Sequence, residues 1–381
     1  SAQLRNPKDF CIPDAKVLLF LQDDYLNSPG QQTPVSSGYN PHNPWLAAWY
    51  GKRVWTFLLL PLTVVFVLLA AFRRFWILRY TQKRLVTPVI VVGNISVGGT
   101  GKTPLLIALV KGLQQQGFNP GVISRGYGGN ASHYPYLLNA ASTAAEAGDE
   151  PVTIYRQTGC AVCVGADRIA AARVLEDENC DILLSDDGLQ HYRLARDIEI
   201  AVVDGQRGLG NGWRLPVGPL RESKARLKTV DWVVVNSPSD NFALPGLADL
   251  FYVPMQICAH ELVNLQSGEK ISAAEFNSTS VHAVAGIGNP QRFQDTLTQL
   301  GIAAELHAFP DHHTYSANDL QFANNVPVVM TEKDAVKCRE FAQPHWFYLP
   351  IAANLPDSFW QALLQKLERI CEQKKTIFKS K

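Results

Sequence analysis

The sequence predicts an α/β fold, with a parallel-sheet domain followed by a smaller α/β domain and preceded by one N-terminal membrane helix. Three observations carry this expectation. Short apolar runs recur between stretches with helical spacing, a second series of such runs begins after residue 236, and Val54 to Phe72 contains no charged residue. Buried parallel strands read as continuous apolar runs, and their alternation with helices is the pattern of βαβ units. With 381 residues, 46% of them hydrophobic and 18% charged, the chain is long enough for two domains and too apolar for disorder. Lys and Arg number 35 against 34 Asp and Glu, a net charge of +1, so no global field gathers nucleic acid and no such partner is expected. The 7 Cys include one close pair, Cys160 and Cys163, which fits neither a disulfide framework nor a four-ligand zinc site. A reducing compartment is expected for the folded part.

Pro, Gly, Ser and Asn accumulate in NSPGQQTPVSSGYNPHNP, and residues 1–43 read as a poorly ordered leader. Residues 44–84 form the membrane-associated segment and its basic flank. At ~1.5 Å per residue the run VWTFLLLPLTVVFVLLAAF approaches the ~30 Å of a bilayer core. Lys52 and Arg53 precede it, and Arg73, Arg74, Arg79, Lys83 and Arg84 follow, so the positive-inside rule places the C-terminal bulk in the cytoplasm. A buried core helix is the alternative reading, and Pro61 leaves a re-entrant or shallow insertion open. The run lies too far along the chain, and is too long, for a cleaved signal peptide.

The first domain is expected over residues 85–236. Its first strand is Pro88 to Gly93, followed by a Gly-rich loop and a helix from Pro104 to Gln116. Further strands are expected at Gly121 to Ser124, Ala161 to Gly165, Ile182 to Ser185, Ile198 to Val203 and Trp232 to Asn236. The boundary falls between Asn236 and Leu244, and residues 237–381 form the second domain. There, strands are expected at Val281 to Gly286, near Glu305 to Phe309 and at Val326 to Thr331, with a helix from Pro290 to Leu300. A final amphipathic helix places Phe359, Leu363, Leu364, Leu367 and Cys371 on one face.

The strongest local signal is Gly93-Asn94-Ile95-Ser96-Val97-Gly98-Gly99-Thr100-Gly101-Lys102-Thr103, between the first strand and the first helix. Its last three residues are those of a phosphate-binding P-loop. Glycines let backbone N–H groups turn toward phosphate oxygens at a helix N-terminus, a Lys meets the β- and γ-phosphates, and a hydroxyl serves magnesium. Ser96 through Thr103 are therefore the nucleotide-binding candidates, although Ser96 stands where the motif ordinarily has its first glycine. Asp186 and Asp187 end a neighbouring apolar strand, and either is a credible magnesium ligand beside Thr103. A strand-terminal turn or helix cap is the competing role for each. Asp204 repeats the arrangement.

Three more clusters fall in loops after strands: Ser124 to Gly129, Gly148 to Pro151, and Gly210 to Pro216 with Arg221. Asp149 or Glu150 could accept a proton from an attacking hydroxyl, and either could equally cap a helix. Asp311-His312-His313 holds the densest imidazole pair in the chain. Cys160 and Cys163 read as small buried hydrophobes.

Taken in order, the P-loop, Ser124-Arg125-Gly126-Tyr127-Gly128-Gly129, Gly148-Asp149-Glu150-Pro151, Asp186-Asp187-Gly188-Leu189-Gln190-His191, Gly210 to Pro216 and Thr331-Glu332-Lys333-Asp334 resemble one family. It is tetraacyldisaccharide 4'-kinase, the lipid A 4'-kinase of Gram-negative bacteria, and the resemblance covers roughly residues 43–373. It implies a P-loop enzyme of lipid A biosynthesis at the cytoplasmic face of the inner membrane. ATP, with Mg2+, would phosphorylate the 4'-hydroxyl of a tetraacylated glucosamine disaccharide 1-phosphate in a cleft between the two domains. The family also has Ser at the first P-loop position, so Ser96 ceases to be an anomaly.

By the same resemblance Asp149 is the catalytic aspartate, and its helper histidine is His312 or His313, with His312 favoured. Lys102 acts on the transferring phosphoryl, and Arg125, Asn211 and Arg221 line the substrate. The acylated disaccharide lipid and the bilayer are the implied partners; an oligomeric state is not implied. One rival is a membrane-tethered P-loop ATPase switch that needs no lipid acceptor. Another is a scaffold that keeps the fold and binds no nucleotide.

Overall fold

The computed structural model describes residues 44–51, 54–237, 250–276, 280–322 and 326–379. The leader expected over residues 1–43 and the flanking Lys52 and Arg53 lie outside them. Among the described residues a nine-stranded sheet runs in the order Ala352–Asn354, Val253–Cys258, Trp232–Asn236, Ile198–Asp204, Val89–Gly93, Ile182–Ser185, Pro120–Ser124, Ala161–Val164 and Tyr136–Leu137. All but the two outermost strands run parallel, with Val91 opposite Ser185 on one side and Gly93 opposite Ala201 on the other.

The central strand shows why the apolar runs are continuous. Ile90 and Val92 enter one core with Leu105, Leu109 and Leu113 of the helix Lys102–Gln115. Val89 and Val91 enter the opposite core with Ile169, Ala172 and Leu175 of the helix Arg168–Asp177. Both faces are covered, so successive side chains, which point to opposite faces, are all buried.

A six-stranded sheet follows, in the order Lys270–Ser272, Glu261–Asn264, Trp346–Leu349, Val328–Thr331, Val281–Ala285 and Ala304–Ala308. The helix Pro290–Gln299 connects the last two strands in this order and buries Phe293 and Leu297. Asn289 caps that helix, its Oδ1 accepting the Arg292 N–H, and Pro290 opens it, where a missing N–H costs nothing.

The division expected after residue 236 is not the division between the sheets. Strand Val253–Cys258 joins Trp232–Asn236, and the C-terminal helix Asp357–Lys379 buries Phe359, Leu363 and Leu367 in the first core. That helix approaches the Lys102–Gln115 helix at Gly112, where a Cβ would collide with the Trp360 ring. Lys374 fixes its far end: Nζ pairs with Asp197 Oδ2 at 2.7 Å and donates to the carbonyls of Leu85 and Thr87. The second sheet is thus an insertion between parts of the first.

The apolar segment is a continuous helix, Trp55–Thr81, long and apolar enough to cross a membrane. It is not a buried core helix. Leu58, Leu62, Val65, Leu69, Phe72 and Trp76, spaced as one helical face, are all exposed, Leu58 to 84%. Its opposite face touches the body near both ends. Thr63 Oγ1 accepts the Val217 N–H at 3.3 Å, Arg74 lies over the Tyr192 ring, and Gln82 donates to the Tyr192 carbonyl.

Phe359→Ala should destabilise the protein by about 3–5 kcal/mol, the cost of a cavity in a tight core. Chemical denaturation would check this, and a loss below about 1 kcal/mol would place the C-terminal helix outside the first core.

Candidate active site

Parallel strands present their carboxyl ends on one edge of a sheet, where open α/β sheets bind ligands. On the first sheet this edge carries the P-loop after Gly93, Arg125 after Ser124, Asp186 after Ser185, then Asp204 and Asn236. On the second it carries the segment after Ala308, with Asp311 and His312, and the helix Glu332–Cys338 after Thr331. Side chains from the two edges meet.

The P-loop is braced from several directions. Gly101 has φ +93° and a Cβ there would come within 2.6 Å of Asn236 Nδ2, so the position requires glycine twice over. Asn236 Nδ2 donates to the Thr100 carbonyl and Asn94 Nδ2 to the Gly98 carbonyl, both at 3.3 Å. Val97 N–H donates to the Pro219 carbonyl, and Ser96 bridges Leu220. Ser96 is buried, so it serves the wall of the loop. Lys102 reaches back to Asn94 Oδ1 at 3.3 Å and to Asp187 Oδ1 at 3.5 Å.

Asp186 and Asp187 differ in their surroundings. Asp186 Oδ2 accepts the Ser124 hydroxyl at 3.1 Å, while Oδ1 is buried without a hydrogen-bond partner. Burial, reinforced by Glu150 and Asp187, pushes the Asp186 carboxyl up to about 6. Burial also acts on Asp187, but Lys102 and Arg221 outweigh it and hold this carboxyl below its ordinary value. Arg221 donates to Asp187 Oδ2 at 3.0 Å. Asp187 Oδ1 likewise lacks a hydrogen-bond donor. Two carboxylate oxygens without donors beside Lys102 and the P-loop helix suit a hard divalent cation, which prefers oxygen ligands. The residues present therefore fit magnesium.

Asp149 opens the helix Asp149–Thr158 and is 4% exposed. Three groups of the second sheet converge on its Oδ2: His312 Nδ1 at 3.0 Å, Lys337 Nζ at 3.4 Å and Lys333 Nζ at 3.7 Å. Lys333 also meets Glu150 at 3.3 Å and Asp311 at 3.4 Å. Burial would lower its ammonium, but Glu150, Asp149 and Asp311 outweigh that and hold it above its ordinary range. His312 has φ +62°, a left-handed conformation that aims its ring at Asp149, and it packs 5.1 Å from Tyr127. His313 turns the other way, to Asp319 Oδ2 at 3.6 Å and against the rings of Phe309 and Tyr315. The two histidines are thereby distinguished.

The other expected residues divide. Arg125 is exposed and lines a cavity of about 450 Å³ with Tyr127, Tyr134 and Asp167. Asn211 braces its own loop, its amide donating to the Val217 carbonyl and accepting the Trp213 N–H, while its backbone N–H donates to Trp49. Asp204 accepts Arg292 from the second sheet at 3.1 Å, and Arg292 also donates to Asn236. Burial pushes the Cys160 and Cys163 thiols up to about 11 and about 12, as for small hydrophobes. The sequence motifs alone give Lys333 and Lys337 no role. Their signal is the charge-dense run Glu332 to Lys337 directly after a buried strand.

Glu332 joins the same junction, accepting Gln157 Nε2 from the first domain. Burial pushes its carboxyl from 4.5 up to about 7. A carboxyl raised on folding stabilises the fold while protonated; this contribution is full below about 4.5 and is lost as pH rises through about 7. Glu332→Gln should therefore gain stability over the native chain between pH 5 and pH 8.5, measured as the denaturation midpoint. A constant difference across that range would remove Glu332 from the buried junction.

The Tetraacyldisaccharide-1-P 4'-kinase family, LpxK, matches residues 55–368. The Tetraacyldisaccharide 4'-kinase of Aeromonas salmonicida is 49% identical over 333 residues, 84% of this chain and 95% of that protein. That of Legionella pneumophila is 45% identical over 315 residues, covering 82% and 94%. A crystal structure of LpxK from Aquifex aeolicus in complex with ATP has a TM-score of 0.67 and 26% identity, over 83% of this chain and 99% of that one. With its P-loop, its paired aspartates and a match over most of its length, the chain belongs to the tetraacyldisaccharide 4'-kinase family.

Proposed function

We infer that this kinase moves the γ-phosphoryl of ATP to the 4'-hydroxyl of a tetraacylated glucosamine disaccharide 1-phosphate, with Asp149 taking the hydroxyl proton. The contact between Asp149, beside the P-loop's sheet edge, and His312 from the second sheet carries the reading. A carboxylate that accepts the proton as the oxygen attacks is a general base, and an imidazole N–H fixes which lone pair faces the substrate. The new bond joins the 4'-oxygen to the γ-phosphorus, the bond to the β-phosphate bridging oxygen breaks, and ADP departs.

Ser96 to Thr103 would cradle the phosphates, with Lys102 offsetting charge that develops on the transferring group. Thr103, Asp186 and Asp187 would hold magnesium, which supplies positive charge opposite the phosphates. Arg125 stands open to solvent on the wall of the cavity that shares Tyr127 with His312, and is placed for an anionic part of the substrate. Arg221 would act through Asp187, and Asn211 through the shape of its loop.

The acceptor's acyl chains give the apolar helix a purpose. Its exposed stripe would sit in the inner membrane, with Arg73, Arg74 and Arg79 near anionic head groups and the catalytic edges on the cytoplasmic side. The helix and the short helix Pro44–Tyr50 before it touch the loop that also backs the P-loop: Trp49 of the short helix donates to the Pro216 carbonyl, Phe57 of the apolar helix packs on Trp213, and Pro219 accepts Val97. A membrane ATPase switch would require no such lipid acceptor.

Labelled γ-phosphate from ATP should appear on the tetraacyldisaccharide 1-phosphate in detergent with magnesium; equal release of free phosphate without lipid would contradict the kinase reading. Asp149→Ala should lower kcat by at least about a hundredfold with the KM for ATP little changed. His312→Ala should cost more in kcat than His313→Ala, and the reverse order would reassign the helper. Val65→Asp with Leu69→Asp should move the protein from membrane to soluble fractions, whereas unchanged fractionation would assign the attachment to other surfaces.

A further inference from the structure

Away from the catalytic edges, two neighbouring parallel strands of the second sheet place His282 opposite Glu305, with His307 two residues further along the edge strand. Among the described residues these three form a cluster whose ligand atoms lie within 4.8 Å of one another. His282 Nδ1 is 2.9 Å from His307 Nε2 and 3.6 Å from Glu305 Oε2, and His307 Nε2 is 3.9 Å from Glu305 Oε1. A tetrahedral cation bonded at ~2.0–2.1 Å separates its ligand atoms by roughly 3.3 Å. The separation of the two ring nitrogens and the distance from each ring to the Glu305 oxygen given above bracket that value. We propose that His282, Glu305 and His307 form a binding site for a zinc-class divalent cation, distinct from the magnesium chemistry of the nucleotide site.

The donor set suits the metal. Imidazole and carboxylate favour zinc and its borderline neighbours, while magnesium prefers oxygen and retained water. His282 would give its Nδ1 lone pair and His307 its Nε2 lone pair, each ring keeping its proton on the other nitrogen. The His307 ring is held in place by Phe322, stacked at 3.8 Å with planes 9° apart. Glu305 is 68% exposed at its side chain, free to swing inward and close the third bond. The fourth position is left to water or to an external ligand. A bound ion would pin the edge strand Ala304–Ala308 to Val281–Ala285, and the edge strand leads directly into the segment that carries His312.

The test uses the full, tag-free chain, stripped with chelator and dialysed against micromolar zinc. Bound metal is counted by mass spectrometry, which reads no kinase activity. The native chain should hold one zinc more than the double variant His282→Ala, His307→Ala. Glu305→Gln, at an exposed position that leaves packing intact, should weaken that zinc about tenfold or more. Equal zinc content in native and double-variant chains overturns the site, as does a native titration superimposable on that of Glu305→Gln.

Discussion

A buried carboxylate must be satisfied, and at Asp149 the partners come from another part of the molecule. The residue begins a helix on the first sheet, and His312, Lys333 and Lys337 reach it from the second. A buried charge stripped of its partners typically costs about 3–5 kcal/mol, because it is left uncompensated. The cost ties the arrangement of the two sheets to the state of a single oxygen. Arg292 on Asp204 and Asn236, and Glu332 on Gln157, extend the junction to either side. The seam combines these polar contacts with Val336, which packs against the first core, and a seam rich in polar contacts favours relative motion of the parts it joins.

The P-loop depends on this frame in a different way. Its strand is the middle of the sheet, buried on both faces, and its helix is clamped from outside by the C-terminal helix through Gly112 and Trp360. Lys374 then fixes that clamp to the residues just before the strand. The nucleotide loop is thus held at its start, along its helix and, through Asn236, at its tip.

Much of the fold was legible because its signals are local. The first strand and the helix after it were expected at Pro88 to Gly93 and Pro104 to Gln116 and occur at Val89–Gly93 and Lys102–Gln115. The strand expected near Glu305 to Phe309 occurs at Ala304–Ala308. Sheet membership is another matter. Nothing in the pattern of Val253–Cys258 or Ala352–Asn354 tells which sheet they complete, since pairing is decided by distant chain. The site divides the same way. The P-loop and the two aspartates announce themselves within a few residues of sequence, whereas Lys337 gains its partner nearly two hundred positions away. His312 and His313 are adjacent and alike in sequence, and only the left-handed backbone at His312 separates them.

The helix Trp55–Thr81 is joined to the loop 210–218 on one side and to Tyr192 on the other, so it is no free tether. A flexible anchor would let the catalytic face tumble above the bilayer. Seated in a bilayer as proposed, a helix bolted at two points would set the tilt of that face and its height. For an enzyme so seated, the search for an acceptor would take place in two dimensions, and turnover would follow the mole fraction of acceptor lipid in the surface. Diluting the acceptor with inert lipid would then slow the reaction even when its amount per volume is unchanged.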